Sequence, residues 1–281
     1  MAGIGLQAVS LTGQRIHAAN AKSLAGILEK LATGQRINHG KDDPAGLITS
    51  ENLRAILAAL DAETRSLERV DSVANVAEGA LSEISGLLVE ASGLAVASAN
   101  TAGVSDAERA ANQMELDSIV FSINRIANST NFNGERLLDG TATLIAGGGS
   151  ITISNAAASA LGEINIDGTT HTLIDVTFGG SLNIANGDLE GALQTIRAAM
   201  DQVATQRGTI GAFQKNTVRT QINSNQIAFE NVAAANSLIR DTDYAKETAA
   251  LNRAQLLDQS SIGVMSMINF IRQQVMNALM G

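Results

Sequence analysis

Apolar residues recur at intervals of three and four over an unusually long stretch of this chain. Leu67, Val70, Ala74, Ala77, Leu81, Ile84, Leu88, Ala91 and Ala95 follow that alternation without a gap. The same register runs back through Glu63, Leu60, Ile56 and Leu53, and only Glu63 breaks it. Such spacing is the seam of one helix sustained over several heptads. At 1.5 Å per residue it predicts a helix ~60 Å long, which needs a partner helix beside it. A second seam supplies one: Leu193, Ile196, Met200 and Val203, an interruption at residues 208–213, then Val218, Ile222, Asn225, Phe229, Val232, Asn236 and Ile239. The two seam asparagines are expected to fix register at some cost in stability.

The rest of the chain falls around these two helices. Residues 1–13 have an ambiguous period and are expected to be weakly helical or disordered when free. From 14 to 32, Ile16, Ala19, Leu24, Ile27, Leu28 and Leu31 form one apolar stripe. Residues 33–46 break the helix with three glycines, an asparagine and two aspartates, and Asp43 followed by Pro44 reads as the cap and first position of the next helix. Ser105 and Glu108 form a capping-box pattern ahead of a row of Leu116, Ile119, Ile123 and Ile126, with Met114 and Phe121 beside it. Residues 128–140 are turn-rich. Between 141 and 188 the pattern changes to strand signals, carried by Ile151, Ile153, Ile164, Ile166, Leu173, Ile174, Val176 and Phe178, with Asp167-Gly168 as a hairpin turn. This insertion is expected to be small and exposed. After the charged stretch 240–247 the tail is helical, and Leu256, Leu257, Ile262, Met265, Ile268, Phe270, Ile271, Val275 and Leu279 occupy more than one face. A lone surface helix cannot bury that, so other chains should cover it. The fold class expected is mainly α: a long antiparallel coiled-coil-like helical rod formed by both chain ends, with a small β-rich outer insertion in the middle.

Composition narrows the chemistry. The single proline permits long helices, and an aromatic content of 2% implies thin Ala/Leu/Ile/Val seams. With no cysteine, no disulfide framework exists. A net charge of −9 with singly scattered basic residues counts against nucleic acid. Neither a cleavable signal peptide nor an apolar run of membrane-spanning length is visible.

Candidate chemical sites each have a plainer structural explanation. His17, His39 and His171 are too far apart in sequence for a metal site and read as solvated. Asp42 and Asp43 serve a turn and a cap rather than general acid–base chemistry. Gly147-Gly148-Gly149 lacks the Gly-Lys-Ser/Thr of a phosphate loop and reads as a flexible connector. The methionines of residues 265–280 suit interface packing. No catalytic residue, cofactor or metal is expected.

Three blocks carry a family resemblance. LATGQRINHGKDDPAG resembles the N-terminal signature of bacterial flagellins, NSTNFNGERLL the end of their N-terminal region, and ENVAAANSLIRDTDYAKETAALNRAQLLDQSS their C-terminal signature. The matching positions include Arg36, Ile37, Asn38, Asp42, Asp43, Asn133, Gly134, Arg240, Asp241 and Asp243. The likeness spans roughly the first 140 and last 90 residues; the middle resembles nothing nameable, as is usual in that family.

The resemblance implies a subunit that polymerises into a secreted, extracellular filament for swimming. Residues 1–38 with 245–281 would line the filament core, 39–140 with 189–244 would form the surrounding helical shell, and 141–188 would be a small variable outer domain. It also implies export through the flagellar secretion channel, an export chaperone, and contact with hook–filament junction and cap proteins. The polymerisation interface is expected at Ile16, Leu24, Ile27, Leu31, Leu256, Leu257, Ile262, Met265, Ile268, Ile271, Val275 and Leu279. Many flagellins are bound by an innate immune receptor through a stretch matching residues 88–97. Leu88, Leu94, Ala95 and Val96 match that pattern, whereas Glu90 replaces an arginine, Ser92 a second arginine and Gly93 a glutamate; Glu115 matches a contributing acidic position. Reversing a charge at a central contact can cost several kcal/mol, so weak or absent signalling is expected. The alternatives are a hook–filament junction protein and a non-flagellar coiled-coil scaffold. An enzyme in the insertion is disfavoured, because ~48 residues can hardly support a catalytic pocket.

Overall fold

The computed structural model describes residues 2–100, 103–166, 168–185 and 187–280, with side chains from residue 8 to residue 277. Six α-helices and three two-stranded hairpins make up the described chain. It divides into two compact units, one of Leu60–Ile227 and one of Met1–Ala59 with Ala228–Gly281.

In the Leu60–Ile227 unit the long seam is buried. Helix α2, Pro44–Ser98, places Leu67, Ala74, Ala77, Leu81, Ile84, Leu88, Ala91 and Ala95 in the core. The seam fades toward its start: Leu53 and Leu60 are half-buried and Ile56 is exposed. Its partner is helix α4, Leu189–Phe213, followed without a break by a π turn, Gln214–Val218, and helix α5, Arg219–Arg240. The two run antiparallel. Glu78 meets Arg207 at 2.7 Å, Asp71 meets Gln214 at 3.0 Å, and Glu63, the break in the seam, accepts from Gln221 at 3.3 Å. The interruption expected at residues 208–213 is absent. Gly208 and Gly211 face open space, while Ile210 and Phe213 are buried and hold the helix in place.

Helix α3, Asp106–Ser129, starts from the Ser105–Glu108 capping box and buries Leu116, Ile119, Val120 and Ile123. Met114 and Phe121 point outward. The turn-rich segment after α3 holds a hairpin, β1 (Asn131–Phe132) and β2 (Glu135–Arg136). Its two-residue turn is Asn133-Gly134, with φ of 53° and 88°, the left-handed pair that a tight hairpin turn requires.

The insertion differs from the exposed segment expected. Its hairpins are β3 (Thr143–Ala146) with β4 (Gly149–Thr152) and β5 (Ile164–Ile166) with β6 (Thr169–His171). Ile153, Leu161, Leu173, Val176, Leu182 and Ile184 are buried in the same core as the α2 seam. Side-chain amides stitch its backbone down. Fully buried Gln113 donates to the Val176 carbonyl at 3.0 Å and accepts from the Ile184 amide at 2.7 Å. Asn124 and Gln202 each accept one backbone N–H, from Ala158 and Gly162. Leu173–Val176 is a 3₁₀ turn rather than a strand, because Asp175 accepts the Thr172 amide and closes the turn locally. The glycine triplet is no flexible connector: Gly147 and Gly148 form the β3–β4 turn at φ 55° and 79°. Asp167 of the expected hairpin pair lies outside the described residues.

In the other unit, helices α1 (Ala2–Thr33) and α6 (Tyr244–Met280) pair antiparallel. His17 lies against Ser261, Asn20 donates to the Leu257 carbonyl, and Lys30 faces Glu247. Residues 2–13, expected to be weakly helical or disordered when free, are a regular part of α1 in this paired state. At residue 13 the two helices are in contact: Met265 and Ile268 lie 3.6 and 3.5 Å from where a Cβ on Gly13 would stand.

Candidate functional site

Both links between helices in the terminal unit follow the same design. Helix α1 ends at Gly34, whose φ of 70° lies in the left-handed region, and a Cβ there would stand 2.8 Å from the Tyr244 hydroxyl. Asp43 Oδ1 accepts the Gly46 amide at 2.9 Å and caps α2, with Pro44 at the first helical position. Asp243 Oδ1 accepts the Lys246 amide at 3.1 Å and caps α6 in the same way. Asp42 closes the first link by accepting the His39 and Asn38 amides at 2.9 and 3.2 Å. The His39 amide is the main cause that holds its carboxyl below the ordinary carboxylate range.

The links are tied to each other. The Arg36 amide donates to the Arg240 carbonyl at 2.7 Å, and the Thr242 amide to the Gly34 carbonyl at 2.9 Å. Arg36 Nη2 reaches the Ile239 carbonyl at 2.6 Å. Arg240 Nε reaches Gln35 Oε1 at 3.1 Å and its Nη1 reaches Glu51 Oε1 at 2.8 Å. That bond, ahead of the one from Arg54, lowers the Glu51 pKa. Ser50, fully buried, donates to Asn236 Oδ1 at 2.8 Å. Asp241 accepts from Ser237, Asn38 donates to the Gln35 carbonyl, and Ile37 is fully buried. Eight signature residues therefore meet in one clamp. Asn133 and Gly134 do not join it; they form the β1–β2 turn. Periodicity marked Asn236 as a seam position but gave no sign of Gln35, Ser50 or Tyr244, and none of the bond between Asn236 and Ser50, because these partners lie far apart in sequence.

Along the α1–α6 pair lies uncovered apolar surface. Ile16, Leu256, Leu257, Ile262 and Ile271 are exposed, Leu256 to 68%. Leu24, Ile27, Leu31, Met265, Ile268 and Val275 are half-buried. The side chain of Leu279 lies outside the described residues. Val9, Leu11, Val264, Met267 and Phe270 add further exposed apolar area; of these, residues 9 and 11 lack the helical spacing that would have marked them.

The positions matching the receptor-binding stretch are in the other unit. Glu90, Gly93 and Glu115 are exposed and Leu94 is half-buried. Leu88 has no accessible surface, so it supports α2 from within and is corrected from a contact position to a core one. The three histidines each have a carboxylate neighbour rather than solvent alone: His17 with Asp258, His39 with Glu29, His171 with Asp175. His17 Nδ1 faces both Asp258 and Ser261, and one nitrogen cannot relay a proton between them. Among the described residues, no group of three His, Asp or Glu is placed to hold a metal ion. Helix α2 alone among the described helices is long and apolar enough by composition to cross a membrane, but its seam residues lie in the protein's own core.

Residues 4–143 match the bacterial flagellin N-terminal helical region, and residues 193–279 match the bacterial flagellin C-terminal helical region. A flagellar filament 30.7 kDa core protein of Treponema maltophilum is 30% identical over 286 residues, covering 96% of this chain and 97% of that protein. A flagellin of Bacillus subtilis is 32% identical over 278 residues, covering 90% and 91%. A structure assigned as a flagellar hook-associated protein of Vibrio parahaemolyticus covers 71% of this chain and 99% of its own at a TM-score of 0.60 and 18% identity, a likeness of fold. The unmatched stretch between the two regions falls largely on the insertion and leaves both long seams and the clamp within the matched parts; the chain is a member of the bacterial flagellin family.

Proposed function

We propose that this chain is the structural subunit of a bacterial flagellar filament that serves swimming motility, without catalytic activity of its own. The observation that carries this reading is the uncovered apolar surface of the α1–α6 pair. Buried apolar area contributes roughly 25 cal/mol per Å², and repeated contacts that do not close a ring build a helical polymer. In that polymer residues 1–38 and 245–281 line the core, 39–140 with 189–244 surround them, and 141–188 lie outermost. The polymerisation interface is the exposed set headed by Ile16, Leu256, Leu257, Ile262 and Ile271, with the half-buried positions behind it. The filament is extracellular. Export proceeds through the flagellar secretion channel with a chaperone, and filament ends meet junction and cap proteins. Glu90, exposed where related sequences carry arginine, makes innate-receptor signalling weak, and a robust reporter response at low-nanomolar monomer would overturn that point.

The test is electron microscopy of purified chain with salt and short filament seeds. Full-length protein should give long uniform filaments. Removal of the last ~35 residues should leave a soluble helical monomer that does not extend seeds. Normal filaments from the truncated chain would overturn the assignment of the interface. Full-length protein that binds seed ends in a few copies without elongation would point to a junction role.

A further inference from the structure

The continuous α4–α5 helix contains one residue too many. Val203, Ile210 and Phe213 keep the seam spacing, and Val218, Ile222 and Asn225 resume it, but Phe213 and Val218 are five residues apart. Five residues of ordinary α-helix turn ~140° beyond a full revolution, which would swing Val218 off the seam. Instead the Arg219 amide donates to the Gln214 carbonyl, five residues back, and both Gln214 and Val218 are buried. A π turn absorbs one extra residue, and the seam recovers its phase.

Two partners are fastened to this turn. On the α2 side, Gln214 Nε2 lies 3.0 Å from both Asp71 Oδ1 and Asn75 Oδ1. On another side rests the tip of the β3–β4 hairpin. A Cβ on Gly147 would stand 3.5 Å from Thr217 and 3.4 Å from Gln221, and one on Gly149 would stand 3.9 Å from Phe213 and from Thr217. Gln221 in turn donates to Glu63 and to buried Asn225, at 3.3 and 3.1 Å. The Asn225 amide nitrogen is itself buried without a partner. The acidic break in one seam and the asparagine in the other are thus joined through the residue that also meets the hairpin tip.

We propose that the π turn is a conformational joint: one surplus residue rephases the seam and forms the seat of the β3–β4 hairpin, so hairpin seating and the register of the following helix are coupled. A hairpin that lifts off frees Gln221 and Thr217, and the polar links to Glu63, Asn225 and α2 then lose their fixed geometry. Conversely, a helix that sheds its surplus residue has no widened turn for the tip to rest on. The proposal concerns the Leu60–Ile227 unit alone and holds whether or not the chain polymerises.

Single-residue deletions in the full-length chain test it. Excision of the exposed Asn216 should convert the π turn to an α turn and leave both seam halves in phase. That variant should keep its helical content and a cooperative melt, while amide exchange across residues 143–152 accelerates at least about tenfold. Excision of the exposed Ala204, in the same helix but with no surplus to remove, should abolish cooperative unfolding. Equal damage from both deletions, or equal tolerance of both, would overturn the joint. A folded Asn216 deletion with unchanged hairpin protection would overturn the coupling. Gln214→Met, which keeps the backbone and removes the donors to α2, should raise hairpin exchange in the same direction by a smaller factor, and unchanged exchange there would likewise count against coupling.

Discussion

The two units use the same helical grammar to opposite ends. Residues 60–227 bury their seam inside the chain, and the largest side chains along it, Leu81, Ile84 and Leu88, have almost no accessible surface. The terminal unit also pairs two long helices, yet it leaves Leu256, Met267 and Phe270 more than half exposed. Charge separates them as well. Residues 60–227 carry nineteen acidic and nine basic side chains, a net of −10, whereas the remainder carries nine acidic and ten basic, a net of +1. The first unit carries the negative charge and closes over its seam, although Phe121 and Phe178 stay outside; the other is electrically balanced and leaves apolar surface along its paired helices, as a surface destined for burial should.

The sharpest way to break the comparison is to truncate one leucine in each unit. Leu88→Ala should cost about 2–5 kcal/mol of monomer stability, read as a lowered denaturant midpoint. Leu257→Ala should change monomer stability by less than about 0.5 kcal/mol. It should nonetheless raise the critical concentration for assembly, about tenfold for each 1.4 kcal/mol by which the subunit interface is weakened. Similar monomer effects at both sites would erase the distinction. Charge is the next lever. If repulsion among residues 60–227 opposes assembly, Glu83→Gln, Glu90→Gln and Glu135→Gln together should lower the salt needed for half-maximal polymerisation, because salt screens the same repulsion. Three neutralisations of acidic residues in the terminal unit would not have this effect.

Acid should weaken both units by the same mechanism. Asp42 and Glu51 in one, and Glu108 and Asp139 in the other, are held below their ordinary pKa values by hydrogen bonds. The leading donors are the His39 amide, Arg240, the Ser105 amide and the Thr141 hydroxyl respectively. A lowered folded-state pKa stabilises the protein above the usual carboxylate range of about pH 4, and that contribution is lost as pH falls through the lowered value. Denaturant midpoints should therefore be flat from pH 7 to about 5 and then fall; Asp42→Asn with Glu51→Gln should flatten the acid limb of the terminal unit only. The smallest expected effect is at the Glu78–Arg207 pair. Both side chains are more than a third exposed, so Glu78→Gln should cost about 0.2–1 kcal/mol.

The seams were legible because burial on a helix writes itself as a three-and-four repeat; Leu67 through Ala95 could be read one by one. Helix caps were legible for a similar reason, since Ser105 and Glu108, or Asp43 and Pro44, act within one turn. The glycines at 208 and 211 misled, because glycine commonly marks a break. Here they sit on an open face, and Ile210 and Phe213 supply the packing that overrides their weak helix propensity. The insertion looked too small for a core because its core is borrowed, through Gln113, Asn124 and Gln202 on neighbouring helices. At the clamp the signature residues were visible, but their convergence was not: Arg36 and Ile239 are 203 positions apart and leave no periodic trace.

That separation has a consequence for the order in which the molecule can form. His17 and Ser261 meet across 244 positions, and joining the ends of so long a loop carries an entropy cost near (3/2)RT ln n, about 5 kcal/mol. The seams of residues 60–227 span shorter loops and repay their closure with buried leucines, so they should condense first. The terminal helices should pair last and part first. A partly emerged chain would then hold α1 without its partner, and the complete binding face would exist only after α6 had arrived and paired.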